Sequence, residues 1–136
     1  MAILPTNVRQ QVEEMFSSLD ADVKMILVDE GGASELDDLL REIEELSPKL
    51  AYERRSAAEA AALGVAEESV PSILLDGPAG VSRARFAGAP AGHEFGVLVQ
   101  DIIDLSRGDI DLSDATKSYL DGLEQDVHLQ VFTTAT

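Results

Sequence analysis

Two short apolar stretches, VKMILVD at 23–29 and VPSILLD at 70–76, constrain this chain more than anything else in it. Both are rich in branched side chains and too short for a buried helix, so each predicts a core strand. Between them, Leu36, Leu39, Leu40, Ile43 and Leu46 recur at i, i+3, i+4, i+7 and i+10, the stripe of a helix with one core-facing side. Ser34 predicts its N-cap, and Pro48 lies just past its end. KLAYERR at 49–55 predicts a short second strand, with Leu50 and Tyr52 inward and Arg54 outward. Strand, helix and strand in that order make a crossover unit with its two strands parallel.

The flanks extend the same alternation. Val8, Val12, Met15, Phe16 and Leu19 predict a leading helix over about Asn7 to Ser18. Ser56 predicts the cap of AAEAAAL, and Gly64 stands where a left-handed helix end is wanted. VPSILLD turns through Asp76-Gly77-Pro78-Ala79-Gly80 and returns as VSRARFAG, 81–88, an antiparallel hairpin. From Pro90, a favourable first helical residue, Phe95, Leu98, Val99, Ile102, Ile103 and Leu105 predict a long closing helix. Asp111 or Ser113 caps a last helix to about Gln125, and VHLQVFT, with Val127, Leu129, Val131 and Phe132, predicts a final strand. Residues 1–106 therefore predict an α/β domain: a central mixed four-stranded sheet flanked by helices on both faces. Residues 107–136 add a helix and a strand that begin a second unit. A lone strand seeks a sheet edge, so a homodimer through 127–133 is a further expectation.

Composition removes whole classes of chemistry. A chain of 136 residues is one domain's worth, with at most a fragment of a second. It contains no cysteine, which excludes thiolate nucleophiles, disulfide exchange, Fe–S clusters and cysteine-containing zinc sites within it. Twenty-six acidic residues against ten basic ones give a net charge of −16, a field that repels nucleic acid. The basic residues are mostly arginine, with only Lys24, Lys49 and Lys117 as lysines. Two origins fit that bias: adaptation to molar salt, where screening suppresses self-repulsion, or an arginine- and alanine-rich codon bias. Apolar runs stop at four residues, too short for a membrane span. MAILPTNVRQ has no basic n-region, so a cytoplasmic location is expected.

Three stretches carry a family likeness: ELSPKLAYE (45–53), RFAGAPAGHEFGVLVQDIIDLS (85–106) and LEQDVHLQVFTTAT (123–136). With the VPSILL strand, they resemble the tandem-thioredoxin protein disulfide oxidoreductases, or glutaredoxin-like proteins of archaea and bacteria. They are also similar to the N-terminal region of the flavoprotein subunit of alkyl hydroperoxide reductase. The likeness spans essentially the whole chain, and RFAG-x-P-x-GHEF is its most specific part.

The resemblance implies a thioredoxin-like fold and a cis peptide at Val70-Pro71, beside which active relatives bind extended peptides. Here Val70 and Pro71 mark either a retained peptide groove or architecture kept for folding. The resemblance further implies a natural chain that runs on past Thr136 into a Cys-Pro-x-Cys motif. In the first unit, the equivalent redox motif falls at Glu30, Gly31, Gly32 and Ala33, where no cysteine stands. The expectation is a redox-inactive unit that scaffolds a catalytic second unit and takes no cofactor. Its partners would be that second unit or the parent's protein substrates. A stand-alone binding or dimerisation module is the alternative.

Other candidates are weaker. Ser34 has no accessible anion without a neighbouring base, so it is a cap and not a nucleophile. His93 and Glu94 sit in a helix's first turn, and His128 is the only other histidine, so no metal site is expected. DIDLSDATKSYL at 109–120 lacks the glycine and terminal glutamate of a calcium loop. GAPAG at 88–92 is not a dinucleotide loop, and no G-x-S-x-G elbow is present. Asp37-Asp38, Glu44-Glu45 and Glu67-Glu68 predict solvated faces.

Overall fold

The computed structural model describes residues 2–31, 34–65 and 70–133. In chain order the elements are α1 (Thr6–Phe16), β1 (Val23–Asp29), α2 (Glu35–Glu44), β2 (Leu50–Ser56), α3 (Ala57–Ala60), β3 (Ser72–Gly77), β4 (Gly80–Ala87), α4 (His93–Arg107) and α5 (Asp114–Asp121). The strands lie in the order β2-β1-β3-β4. β1 runs parallel to β2, while the β1–β3 and β3–β4 pairs are antiparallel. This is the mixed four-stranded sheet that the pattern predicts.

Alternation along β1 feeds two cores. Met25 and Leu27 pair in register with Leu75 and Ile73, and all four join the larger core with Val12, Phe16, Leu40, Ile43, Leu98 and Ile102. Helices α1, α2 and α4 therefore cover that face. Ile26, Val28 and Leu74 point the other way, onto Ala60 of α3 and Val65. Local chemistry fixes the helix ends. Ser34 accepts from the Asp37 N–H at 3.1 Å, and Ser56 with Glu59 forms a reciprocal capping box. Gly64, at φ 74°, closes the turn after α3 in a left-handed conformation that a side chain would strain.

Four expectations are corrected. Arg54 does not point outward: Leu50, Tyr52 and Arg54 are two apart, so the pleat sends all three to the α2 face. α4 starts at His93 rather than Pro90, because Gly92 at φ 58° breaks the helical path. Ser113, not Asp111, caps α5, which ends at Asp121 rather than near Gln125 because Gly122 interrupts it. Residues 127–133 form no strand. A strand is defined by its ladder partner, and among the described residues no ladder includes this segment. Every described residue from Arg107 onward is exposed.

Candidate functional site

The candidate site is the end of the sheet where β1 stops and β3 starts. β1 finishes at Asp29, and Glu30 and Gly31 follow it, exposed, before the Ser34 cap of α2. Gly31 adopts φ 99°, and its N–H donates back to the Asp29 carboxylate at 3.2 Å. Gly32 and Ala33 lie outside the described residues. Antiparallel pairing sets Val28 opposite Ser72, so the two residues ahead of β3, Val70 and Pro71, belong to the same end. The Val70–Pro71 peptide is cis, and Gly88 N–H donates to the Pro71 carbonyl at 2.8 Å. Val70 packs on the smaller core, whereas Pro71 is exposed. The described members of the two sequence-derived sets thus share one rim of the sheet.

A charged network occupies this corner, and sequence reasoning missed it. Arg54 reaches across from β2 and grips Asp29 at two points, Nε to Oδ1 at 2.9 Å and Nη2 to Oδ2 at 2.6 Å. Its Nη1 lies 3.9 Å from Asp37 Oδ1, and the Tyr52 hydroxyl donates to that same Asp37 oxygen. Arg41 donates to Asp37 Oδ2 at 3.0 Å, and its guanidinium stacks 5.2 Å above the Tyr52 ring centre. Asp37 is only 7% exposed, which corrects its reading as part of a solvated face; Asp38 is exposed, as expected of one. Burial pushes the Asp37 carboxyl upward, but the Tyr52 hydroxyl and the two guanidiniums outweigh it and hold the group below its ordinary range. The same burial, with the Asp37 charge, raises the Tyr52 phenol.

Two more carboxylates on α2 have structural duties. Glu42 is buried and accepts from the N–H groups of Ile3 at 2.7 Å and Leu4 at 3.1 Å, and from Arg9 at 3.2 Å. Glu44 accepts the Tyr52 N–H at 2.8 Å, which again corrects a solvated-face reading. Glu45 is exposed and pairs with Arg9, while Glu67 and Glu68 lie outside the described residues. His93 and Glu94 are exposed in the first turn of α4. Among the described residues no group of three or more ligating side chains gathers for a metal. Nor is any helix there long and apolar enough to cross a membrane.

Chemically, the corner is an ionic tie. Ser34 Oγ is engaged as a cap, and the Tyr52 phenol is held in its protonated form as a donor to Asp37. Every other polar side chain in the network is a carboxylate or a guanidinium. A shallow cleft of about 240 Å³ lined by Asp29, Glu30, Gly31, Arg54, Arg55 and Ser56 lies beside it. The signal that would have found this network is parity: Arg54 shares its face with Tyr52, beneath the first turns of α2.

Comparison with known proteins agrees with the likeness read in the sequence. No protein-family model matches the chain. The alkyl hydroperoxide reductase AhpF of Staphylococcus aureus is 26% identical over 136 residues, covering 98% of this chain and 25% of the relative. Its Staphylococcus epidermidis counterpart matches to the same extent. The chain therefore spans about a quarter of the length of the curated relatives it matches. Among solved structures, a mutant of Enterococcus faecalis AhpF superposes with a TM-score of 0.77 at 24% identity, over 90% of this chain and 62% of that one. A protein disulfide oxidoreductase from Aeropyrum pernix superposes with a TM-score of 0.71 at 24% identity, over 90% and 56%. The chain has the thioredoxin-like fold, and its likeness is to the N-terminal domain of AhpF and to the protein disulfide oxidoreductases.

Proposed function

We propose that this chain is a redox-inactive thioredoxin-like unit of a protein disulfide oxidoreductase or glutaredoxin-like protein, whose task is to scaffold a catalytic second unit. One observation carries the reading: the corner between β1 and α2, where the resemblance expects a thiol pair, is cysteine-free and knit by Asp29, Arg54, Asp37 and Tyr52. Thiol–disulfide exchange requires a thiolate, and an ionic tie supplies rigidity without one. The partial cover of the relatives supports the presence of further units in the parent protein. On this reading residues 1–106 are the unit, 107–136 lead into the next one, and the setting is cytoplasmic.

The test is an insulin-disulfide turnover assay on the 136-residue chain, together with reading the gene past codon 136. No turnover, with an open frame that supplies two cysteines two residues apart, is the expected result. Turnover by the cysteine-free chain overturns the proposal. A stop codon directly after Thr136 favours the stand-alone module instead.

A further inference from the structure

We propose that the cleft between the β3–β4 hairpin and the end of α4 is a docking site for an arginine side chain of a partner protein, presented next to an aliphatic residue. The site is independent of the proposed function, since it lies wholly within residues 78–110. The cleft holds about 440 Å³, and Pro78, Ala79, Leu105 and Ile110 give it apolar walls. Its charged lining is all acidic: Asp101, Asp104 and Asp109. Such a cleft fits a side chain with a methylene stem, which lies along apolar surface, and a cationic head, which reaches the carboxylates.

These carboxylates differ from those at the other end of the sheet. Asp29, Asp37, Glu42 and Glu53 each hold a cation of this chain. Among the described residues no cation pairs with Asp101 or Asp104, and the Asp104 carboxylate accepts the neutral Gln100 amide at 2.9 Å. Lys117 reaches Asp109 alone, at 3.7 Å. Asp101 and Asp104 are half-buried one turn apart on α4, where like charges repel, and Asp104 lies in the last turn, at the negative end of the helix dipole. Burial and the Asp104 charge raise the Asp101 carboxyl accordingly. The isolated fold thus gains nothing from keeping this pair ionised, and a cation from outside offsets each of those costs. Two acceptors one turn apart suit arginine better than lysine, because the planar fork can serve both at once. The net charge of −16 draws a cationic partner in.

The test is an amide-NMR titration of the 136-residue chain with the end-capped tripeptide Leu-Arg-Ile, in about 0.1 M KCl. Saturable shifts are expected at Ala79, Leu105 and Ile110, larger than those from capped Leu-Glu-Ile or Gly-Arg-Gly. In the double variant Asp101→Asn, Asp104→Asn, binding should weaken about tenfold or more. Removing Asp101's charge should stabilise the fold, so that loss is not unfolding. Glu13→Gln with Glu14→Gln takes the same charge from exposed positions on α1 and should leave binding unchanged. Equal binding of Gly-Arg-Gly, equal weakening by the α1 variant, or undiminished binding by the Asp101→Asn, Asp104→Asn chain overturns the proposal. So does a longer natural chain whose following residues fill the cleft and exclude the tripeptide, an outcome that leaves the scaffolding function standing.

Discussion

Arg54 and Asp29, 25 residues apart in sequence, form a two-point ion pair across the β1–β2 ladder, with contacts of 2.9 and 2.6 Å. The pair fastens the last residue of β1 to its neighbour where the chain leaves the sheet. Both side chains are largely shielded, so the pair is worth more than a surface contact. Arg54→Lys keeps the charge but loses the planar fork. We expect a loss of stability, seen as a fall in the thermal midpoint. Chemical shifts of Glu30 and Gly31 should move more than those of α4.

Tyr52 reports the same corner from the other side. Its hydroxyl donates to Asp37, and burial and that carboxylate keep the phenol protonated to unusually high pH. Tyr52→Phe should therefore remove an alkaline absorbance transition that lies above the ordinary tyrosine range. The same substitution removes the leading favourable contact of the Asp37 carboxylate. A carbon-detected titration should show Asp37 moving upward, at a cost of about 1–2 kcal/mol.

The difference between what was legible in this sequence and what was not follows the distance over which each feature is decided. The Ser34 cap, the Leu36–Ile43 stripe, Gly64 and the hairpin at Pro78-Ala79 are settled by neighbours within four residues, and composition encodes them. Asp37 looks like any acidic surface residue until the fold brings Tyr52 and Arg54, 15 and 17 positions away, beneath it. Glu42 likewise becomes a clamp only when Ile3 and Leu4 arrive from 38 or more positions off. The segment 127–133 has strand composition but no ladder, because pairing is a property of two segments and local pattern names only one.

Acid should unfold the protein through Asp37 and Glu42. In Glu42, burial raises the carboxyl, but the Ile3 and Leu4 N–H groups and Arg9 overcome it, so the folded value lies below the ordinary one. Asp37 has the same sign. Their stabilisation is present above the ordinary carboxylate range of about pH 4 and is lost as pH falls through the lower folded values. Asp101 has the opposite sign, raised by burial and then by Asp104, so it opposes folding when charged. The midpoint of Glu42→Gln should fall at neutral pH and vary less with acid than that of the parent chain. Asp101→Asn should gain stability at neutral pH. Denaturant melts from pH 2 to pH 7 check both signs.

Salt tests what the acidic surface is for. A net charge of −16 on 136 residues stores self-repulsion that unfolding relieves, since an expanded chain holds its charges farther apart. Screening shortens from about 10 Å at 0.1 M to about 3 Å at 1 M, so repulsion between exposed carboxylates collapses over that range. The shielded Arg54–Asp29 and Glu42 contacts lose less, being partly buried. The thermal midpoint should therefore climb between low salt and molar KCl, and climb further in KCl than in an equal concentration of sucrose, which does not screen. A profile flat in KCl would remove salt adaptation as the origin of the composition and leave codon bias.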